Sequence, residues 1–239
     1  MSRTIVVTGG ATGIGRAVAE RFRADGDDVV ITGRRADVLE KAAAELGARA
    51  VVCDATDPDQ IARLADSLTR VDVLVNNAGG NTDFTQPDAG NDLRQLRQNW
   101  LANLEANLLS AVLTTTALSP KLTDGGAVIH LGSIAGSRGP GSYGASKAAL
   151  ALWNTDIAKD LGQRGITSNV VAPGFTAETN FFHGRLTPDR RKTLLEATMT
   201  HREGQVTDIA ATIHFLASPA AHHITAQLLH VNGGALPTR

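Results

Sequence analysis

Tyr143 is the only tyrosine of the chain, and Lys147 follows it four residues later. On a helix that spacing puts both side chains on one face, a turn apart. A nearby ammonium favours phenolate over phenol and draws a tyrosine pKa down from its free value of about 10. The pair therefore points to general acid–base chemistry near neutral pH. Ser133 stands ten residues upstream, in Gly132-Ser133-Ile134-Ala135-Gly136. Its hydroxyl is placed to hold a substrate oxygen beside the phenol, although a turn at a strand end also accounts for a serine there.

A second constellation opens the chain. Thr8-Gly9-Gly10-Ala11-Thr12-Gly13-Ile14-Gly15 carries glycines in the pattern G-x-x-x-G-x-G. Missing β-carbons permit a tight turn and a close approach of backbone to a pyrophosphate, and free N–H groups at a helix start meet its charge. Gly9, Thr12, Gly13, Ile14 and Gly15 are the candidate phosphate cradle. Further on, Ile31-Thr32-Gly33 is followed by Arg34 and Arg35, where NAD-selective sites of this type carry an acidic residue. An arginine fork matches a 2′-phosphate, so NADP(H) is the expected cofactor; two arginines on a solvated turn would look the same. Asp54, with Ala55 after it, is placed to accept from an adenine amino group, or else caps a loop.

These groups need a scaffold, and the hydrophobic pattern supplies one. Short apolar runs are expected as strands at Thr4–Thr8, Val29–Thr32, Ala50–Cys53, Val71–Val75, Ala127–Leu131, Ile166–Ala172 and Gln227–Val231. Between them, amphipathic stretches predict helices over Ile14–Ala24, Ala36–Leu46, Pro58–Leu68, Asp92–Ser119, Tyr143–Leu161 and Thr207–Leu216. Such alternation reads as α/β: a single-domain, Rossmann-type, doubly wound parallel sheet with helices on both faces. Two segments break the rhythm, the polar stretch Asn81–Asn91 and a longer irregular one from Gly174 to Val206. The second contains Phe175, Phe181, Phe182 and Met199, and its apolar side suggests a lid over a pocket.

Composition narrows the function classes. In 239 residues, 42% are hydrophobic and the formal net charge is -1, a balance that supports a packed core and gives no basic surplus for nucleic acid. Cys53 is the lone cysteine, which excludes an intrachain disulfide and fits a reducing, cytoplasmic setting. No leader pattern and no membrane-spanning run is expected. The seven histidines lack metal-ligand spacing, so no catalytic metal is expected.

Taken together, the motifs resemble the short-chain dehydrogenase/reductase family, in the compact NADP-dependent form of acyl-carrier-protein and polyketide ketoreductases. The matching residues are the Thr8–Gly15 turn, Asp54, Asn76-Asn77-Ala78-Gly79, Asn107, Ser133, Tyr143 with Lys147, Pro173-Gly174, Phe215-Leu216-Ala217-Ser218 and Val231-Asn232-Gly233-Gly234. The resemblance implies that Tyr143 protonates a substrate oxygen, Lys147 lowers its pKa and holds the nicotinamide ribose, and Ser133 binds the carbonyl. It also implies that Asn107 kinks its helix to hold a relay water and that Asn77, Ala78 and Gly79 line the cofactor riboses. Pro173, Gly174 and Thr176 would pass the carboxamide. A ketone reductase acting on a small-molecule carbonyl substrate, free or carrier-bound, is expected, as a homodimer or homotetramer pairing the Asp92–Ser119 and Tyr143–Leu161 helices.

Some features depart from the family pattern. Ser133 and Tyr143 are closer in sequence than usual, Thr179 competes with Thr176 for the cofactor role, and Ala226 stands where glycine is frequent. Arg190-Arg191-Lys192 reads as solvated helix surface or as an attractor of an anionic carrier. An oxidising dehydrogenase, an imine reductase and a non-catalytic dinucleotide sensor are the rival functions. The intact Asn107, Ser133, Tyr143 and Lys147 set speaks against the sensor.

Overall fold

Parallel strands whose residues are covered on both faces must be apolar throughout, and β1 (Thr4–Thr8) shows this directly. Ile5, Val6 and Val7 all have no exposed surface in the computed structural model, which describes residues 2–177, 179 and 181–238. Ile5 and Val7 point into one core, against Val18 and Phe22 of α1 (Gly13–Ala24), Leu39 of α2 (Ala36–Leu46) and Ile209 and Ile213 of a late helix. Val6 points the other way, towards Ile61 and Leu64 of α3 (Pro58–Asp66) and towards Leu118 and Leu161.

The remaining strands are β2 (Asp28–Gly33), β3 (Arg49–Val52), β4 (Val71–Asn76), β5 (Leu122–Leu131), β6 (Thr167–Pro173) and β7 (Leu228–Val231). The sheet has the order β3-β2-β1-β4-β5-β6-β7, and every neighbouring pair is parallel. The chain thus winds outward from β1, returns to β4 and winds outward again. Connections leave β1 and β4 in opposite directions, which opens a crevice at their C-terminal ends. Helices α4 (Leu93–Leu104), α5 (Ser110–Leu118), α6 (Ala135–Arg138), α7 (Gly141–Gly162), α8 (Pro188–Glu196) and α9 (Val206–Leu216) complete the described elements.

Helix starts follow capping chemistry. Asp57 accepts from the N–H groups of Asp59 and Gln60, and Pro58 occupies the first turn of α3. The structure refines the sequence pattern in several places. The Asp92–Ser119 helical stretch, which the family resemblance expects to kink at Asn107, breaks there in a π turn at Glu105–Leu109. β5 begins at Leu122, five residues before the expected start, with a register shift between Val71 and Val73 on β4. β3 lies one residue earlier than expected. The segment expected to be irregular from Gly174 to Val206 contains α8, started by Thr187 accepting from the Arg190 N–H and by Pro188. Ala226 takes φ +59°, a left-handed conformation that glycine adopts without steric cost. Among the described residues no helix is long and apolar enough to cross a membrane.

One buried polar group conflicts with its surroundings. His130 on β5 has no exposed surface; its ring contacts Asn76 at 3.1 Å and Ser168 at 3.3 Å, and Trp153 packs at 5.1 Å. Asn76 also donates to the Thr115 hydroxyl, so the ring nitrogen facing it accepts and the other donates to Ser168. Burial first, and the Lys147 amine second, push the imidazole pKa down to about 3. Unfolding lets His130 take a proton at its ordinary value near 6.5, which the folded ring refuses, so stability falls as pH drops below about 6.5. The expected slope is about 1.4 kcal/mol per pH unit between pH 6 and pH 4. Urea unfolding of His130→Gln should show a pH dependence shallower by that amount; an unchanged slope would assign the acid sensitivity to other groups.

Candidate active site

The site begins where β1 ends. Gly9 (φ +64°) and Gly13 (φ +53°) are left-handed, so the turn that leads into α1 excludes side chains at these positions. Asn77, just past β4, clamps this turn: its Nδ2 donates to the Thr8 and Gly9 carbonyls at 2.9 and 3.0 Å. The Thr8 hydroxyl receives the N–H groups of Asn77 and Ala78 at 3.0 and 2.9 Å. The ends of β1 and β4 are therefore tied together below the crevice. Thr12 precedes α1 without a side-chain cap, which leaves backbone N–H groups of the first turn available to an anion.

Residues beyond the turn surround the same crevice. Arg34 and Arg35 are exposed after β2, and neither forms an ion pair among the described residues. Asp54 accepts from both the N–H and the hydroxyl of Thr56 through one oxygen, a loop-closing role that leaves its other oxygen open. Ala55 beside it is buried. A dinucleotide fits this set: a side-chain-free cradle, an uncapped helix start and two unpaired guanidinium groups.

Asn107 sits in the π turn. Its Nδ2 donates to the carbonyls of Gly80 and Asn103 at 2.9 and 3.0 Å, while its Oδ1 accepts from the Gly80 N–H at 3.0 Å. A β-carbon on Gly79 would lie 2.6 Å from that oxygen, so glycine is needed for the loop to approach the helix. Asn103, fully buried one turn earlier, donates to Ser142 at 2.8 Å and to Asp83 at 2.7 Å. Asn107 is thereby connected to the first turn of α7, immediately before Tyr143.

Only ten residues separate Ser133 from Tyr143, and three glycines make this short link possible. A β-carbon on Gly136 would stand 2.9 Å from the Lys147 backbone, one on Gly139 2.7 Å from Ala135, and one on Gly144 2.3 Å from the Gly139 carbonyl. Without those atoms α6 folds directly against α7. Backbone bonds from Gly132 to Val171 and from Ile134 to Pro173 hold the Ser133 loop beside β6. Pro173 ends that strand, and Gly174 packs so near Asn232 that a β-carbon would lie 2.7 Å from its side chain.

Tyr143 and Lys147 share the inner face of α7, with the amine 5.9 Å from the phenol ring and bonded to the Leu131 carbonyl at 2.7 Å. Burial pushes the Tyr143 pKa up to about 12, against a smaller opposite pull from a hydrogen bond with Ser133. Burial pushes Lys147 down to about 7. The expected lowering of the tyrosine by its lysine is thus reversed in this conformation. Both charged forms are penalised by the loss of water, and an amine that sheds its charge has no cation to offer. The closing agent is the segment after β6: the Phe181 ring lies 5.5 Å from Tyr143. Thr176 and Thr179 bond within that segment, to the carbonyls of Gly174 and Thr176 respectively.

Sequence reasoning missed Thr8, Asp83, Phe84, Asn103 and Ser142. Asn103 and Asn107 stand four apart on one apolar-flanked helix, a signal that was available. Asp83 and Phe84 lie in a polar loop whose contacts depend on the tertiary fold.

The family described as Enoyl-(Acyl carrier protein) reductase matches residues 9–235. The chain belongs to the short-chain dehydrogenase/reductase family. The 3-oxoacyl-[acyl-carrier-protein] reductase FabG of Escherichia coli is 35% identical over 240 residues, covering 96% of this chain and 95% of that protein. A blue fluorescent protein from a metagenomic library, in complex with NADPH, superposes with a TM-score of 0.87 at 33% identity, covering 98% of both chains. A short-chain dehydrogenase from Burkholderia cenocepacia in complex with NADP gives 0.86 at 31%, again covering 98% of each. This member is therefore an oxidoreductase built on the Rossmann-type scaffold expected from its motifs.

The turn offers a direct test. Alanine in a helix is ordinarily better than glycine by roughly 1 kcal/mol. At Gly15, however, the added carbon would meet Asn77 Nδ2 and the Gly9 carbonyl, each at 2.4 Å. Overpacking of this kind costs about 1–3 kcal/mol, so Gly15→Ala should be destabilised by urea unfolding. A gain in stability would show that the turn is looser than described.

Proposed function

We propose that this protein is an NADPH-dependent ketone reductase in which Tyr143 delivers the proton to the substrate oxygen. The observation that carries this reading is the Tyr143–Lys147 pair, set on one face of α7 beside Ser133. NADPH or NADP in the related structures, and the carbonyl substrate class named for the acyl-carrier-protein reductases, support it.

When bound, the reduced nicotinamide supplies the hydride to the carbonyl carbon. The protein's own residues do the rest. Ser133 holds the carbonyl oxygen, and Tyr143, kept protonated by its buried setting, donates to that oxygen as negative charge develops. Opening of the 174–206 segment readmits water, which restores the ordinary charge of Lys147 and lets it stabilise the phenolate left behind. Asn107, with its amide fully engaged by Gly80 and Asn103, fixes the π turn beside Lys147 and offers main-chain carbonyls to a water that returns the proton. Gly9, Thr12, Gly13, Ile14 and Gly15 hold the pyrophosphate, Arg34 and Arg35 the 2′-phosphate, and Asp54 and Ala55 border the adenine. Asn77, Ala78 and Gly79 border the riboses, and Pro173, Gly174 and Thr176 the carboxamide.

A carrier-bound substrate remains within this reading. Of the basic run on α8, Arg191 is paired with Glu203 at 2.7 Å and Lys192 faces Glu196 at 3.9 Å, which leaves Arg190 for an anionic carrier. A homodimer or homotetramer is supported by apolar side chains exposed on the two helices expected to pair, Leu96 and Trp100 of α4 and Leu152 of α7, the last 73% exposed. A cytoplasmic setting agrees with the single, buried thiol.

Two substitutions test the assignment. Tyr143→Phe should lower kcat for ketone reduction by at least about 10²-fold, the usual worth of a positioned general acid. Its NADPH affinity, measured by fluorescence titration, should remain near that of the parent; retained turnover would refute Tyr143 as the donor. Arg34→Gln should raise the NADPH Kd by roughly tenfold, the loss of a charge-assisted contact. NADH affinity should change little, and equal weakening of both cofactors would remove the 2′-phosphate contact from the account.

A further inference from the structure

Aromatic residues are scarce in this chain, yet four of its six phenylalanines gather at the mouth of the site. Phe84 comes from the loop after β4, whereas Phe175, Phe181 and Phe182 come from the segment after β6. Phe181 packs against Phe182 at 5.1 Å and 88°, and against Phe84 at 5.8 Å and 85°. Phe181 also reaches Tyr143 at 5.5 Å. All four phenylalanine rings are only half-buried, so the cluster keeps apolar surface open where a core cluster would have closed it.

We propose that Phe84, Phe181 and Phe182 form a specificity pocket for an apolar, preferentially aromatic, substituent of the ketone, with Phe181 occupying its place when no substrate is present. The proposal rests on the ketone reductase reading and adds the substrate class. Edge-to-face geometry at these separations is the arrangement a further ring adopts among aromatic side chains. The position is also correct, since the ring that lies on Tyr143 stands where a group attached to the carbonyl must lie.

The two sides of the pocket are held differently. Phe84 ends a short 3-10 turn, Thr82–Phe84, anchored to the body of the protein. The Thr82 N–H donates to Asn103 at 3.1 Å, and Asp83 accepts from Asn103 at 2.7 Å and from Ser142 at 3.1 Å. Asn103 and Ser142 are both buried, so this wall is fixed relative to Tyr143. Opposite it, Phe182 precedes a tight turn at His183 and Gly184, with φ of 48° and 75°, closed by the Arg185 N–H bonding to the Phe182 carbonyl at 2.8 Å. Between Gly174 and Thr187 the described residues form no helix and no strand beyond the Thr176–Gly204 bridge. Phe181 and Phe182 can therefore withdraw while Phe84 stays.

The test compares acetophenone with hydroxyacetone, an aryl ketone with a small polar one, using NADPH and the intact protein. The parent should prefer acetophenone in kcat/KM by at least about tenfold, the discrimination that apolar pockets give. Phe181→Ala and Phe84→Ala should each erase most of that preference through KM, Phe181→Leu should keep part of it, and the NADPH Kd should not move. Calorimetric binding of acetophenone to NADPH-loaded Tyr143→Phe reads the pocket without turnover and should weaken about tenfold when Phe84→Ala is added. Ketone reduction with no apolar preference, or a preference untouched by both alanine variants, overturns the pocket while leaving the reductase reading intact. Acetophenone binding that depends on Phe84 in a protein that reduces no ketone supports the pocket and refutes the reaction.

Discussion

Removing a phenol and an amine from water together is the constraint on which the site depends. Burial disfavours the charged form of each, the phenol pushed up to about 12 and the amine down to about 7. With these values the phenol stays neutral near neutral pH and the amine is only partly charged. Loss of water is what moves both groups, and the Phe181 ring is one of the groups that cover Tyr143, at 5.5 Å. On the proposed reading, motion of the segment after β6 changes the charge state of the site as well as access to it.

The coupling works only because the rest of the crevice is held rigid without bulk. Asn77 spends its amide on the Thr8 and Gly9 carbonyls, Asn107 on Gly80 and Asn103, and Asn103 on Ser142 and Asp83. Carboxamides suit this purpose because they donate and accept without carrying charge, so they can be buried beside Lys147 without altering its ionisation. Glycines supply the complementary part. At Gly15, Gly79, Gly136 and Gly144 an added β-carbon would collide with the very backbone or amide group that these contacts position. The architecture brings elements close by deleting side chains and then stitches them with amides.

That division explains what the sequence disclosed. The sheet, the helices on both faces and the cofactor turn were legible, because strand and helix periods and glycine spacing are local signals. Ala36–Leu46 was located to the residue, and the Tyr143–Lys147 spacing found its face of α7. The π turn was not legible as a geometry, since it arises from Asn107 binding Gly80, a loop 27 residues away. Helix α8 was missed for a different reason: none of its residues is buried, so it has no apolar stripe, although Thr187 and Pro188 mark its start. The pKa directions of Tyr143 and Lys147 escaped because local spacing shows that a lysine is near and does not show how deeply the tertiary fold buries both groups.

The same apolar closure also bears on selectivity. A substrate entering the cleft must first displace Phe181 from Tyr143, exposing ring surface that was partly covered. Full exposure of a phenylalanine side chain costs about 1.5–3 kcal/mol, and Phe181 is already partly exposed, so displacing it costs less than that. A ketone that carries an apolar group of similar area covers that surface again and offsets the cost. A small polar ketone cannot, and its apparent affinity is reduced by the fraction of protein that stays closed. The displaced ring therefore discriminates before any bond is made, by an exchange of one apolar contact for another. On the proposed reading, the proton chemistry resides in the α7 face and the selectivity in two loops at strand ends, where substitution leaves Tyr143 undisturbed.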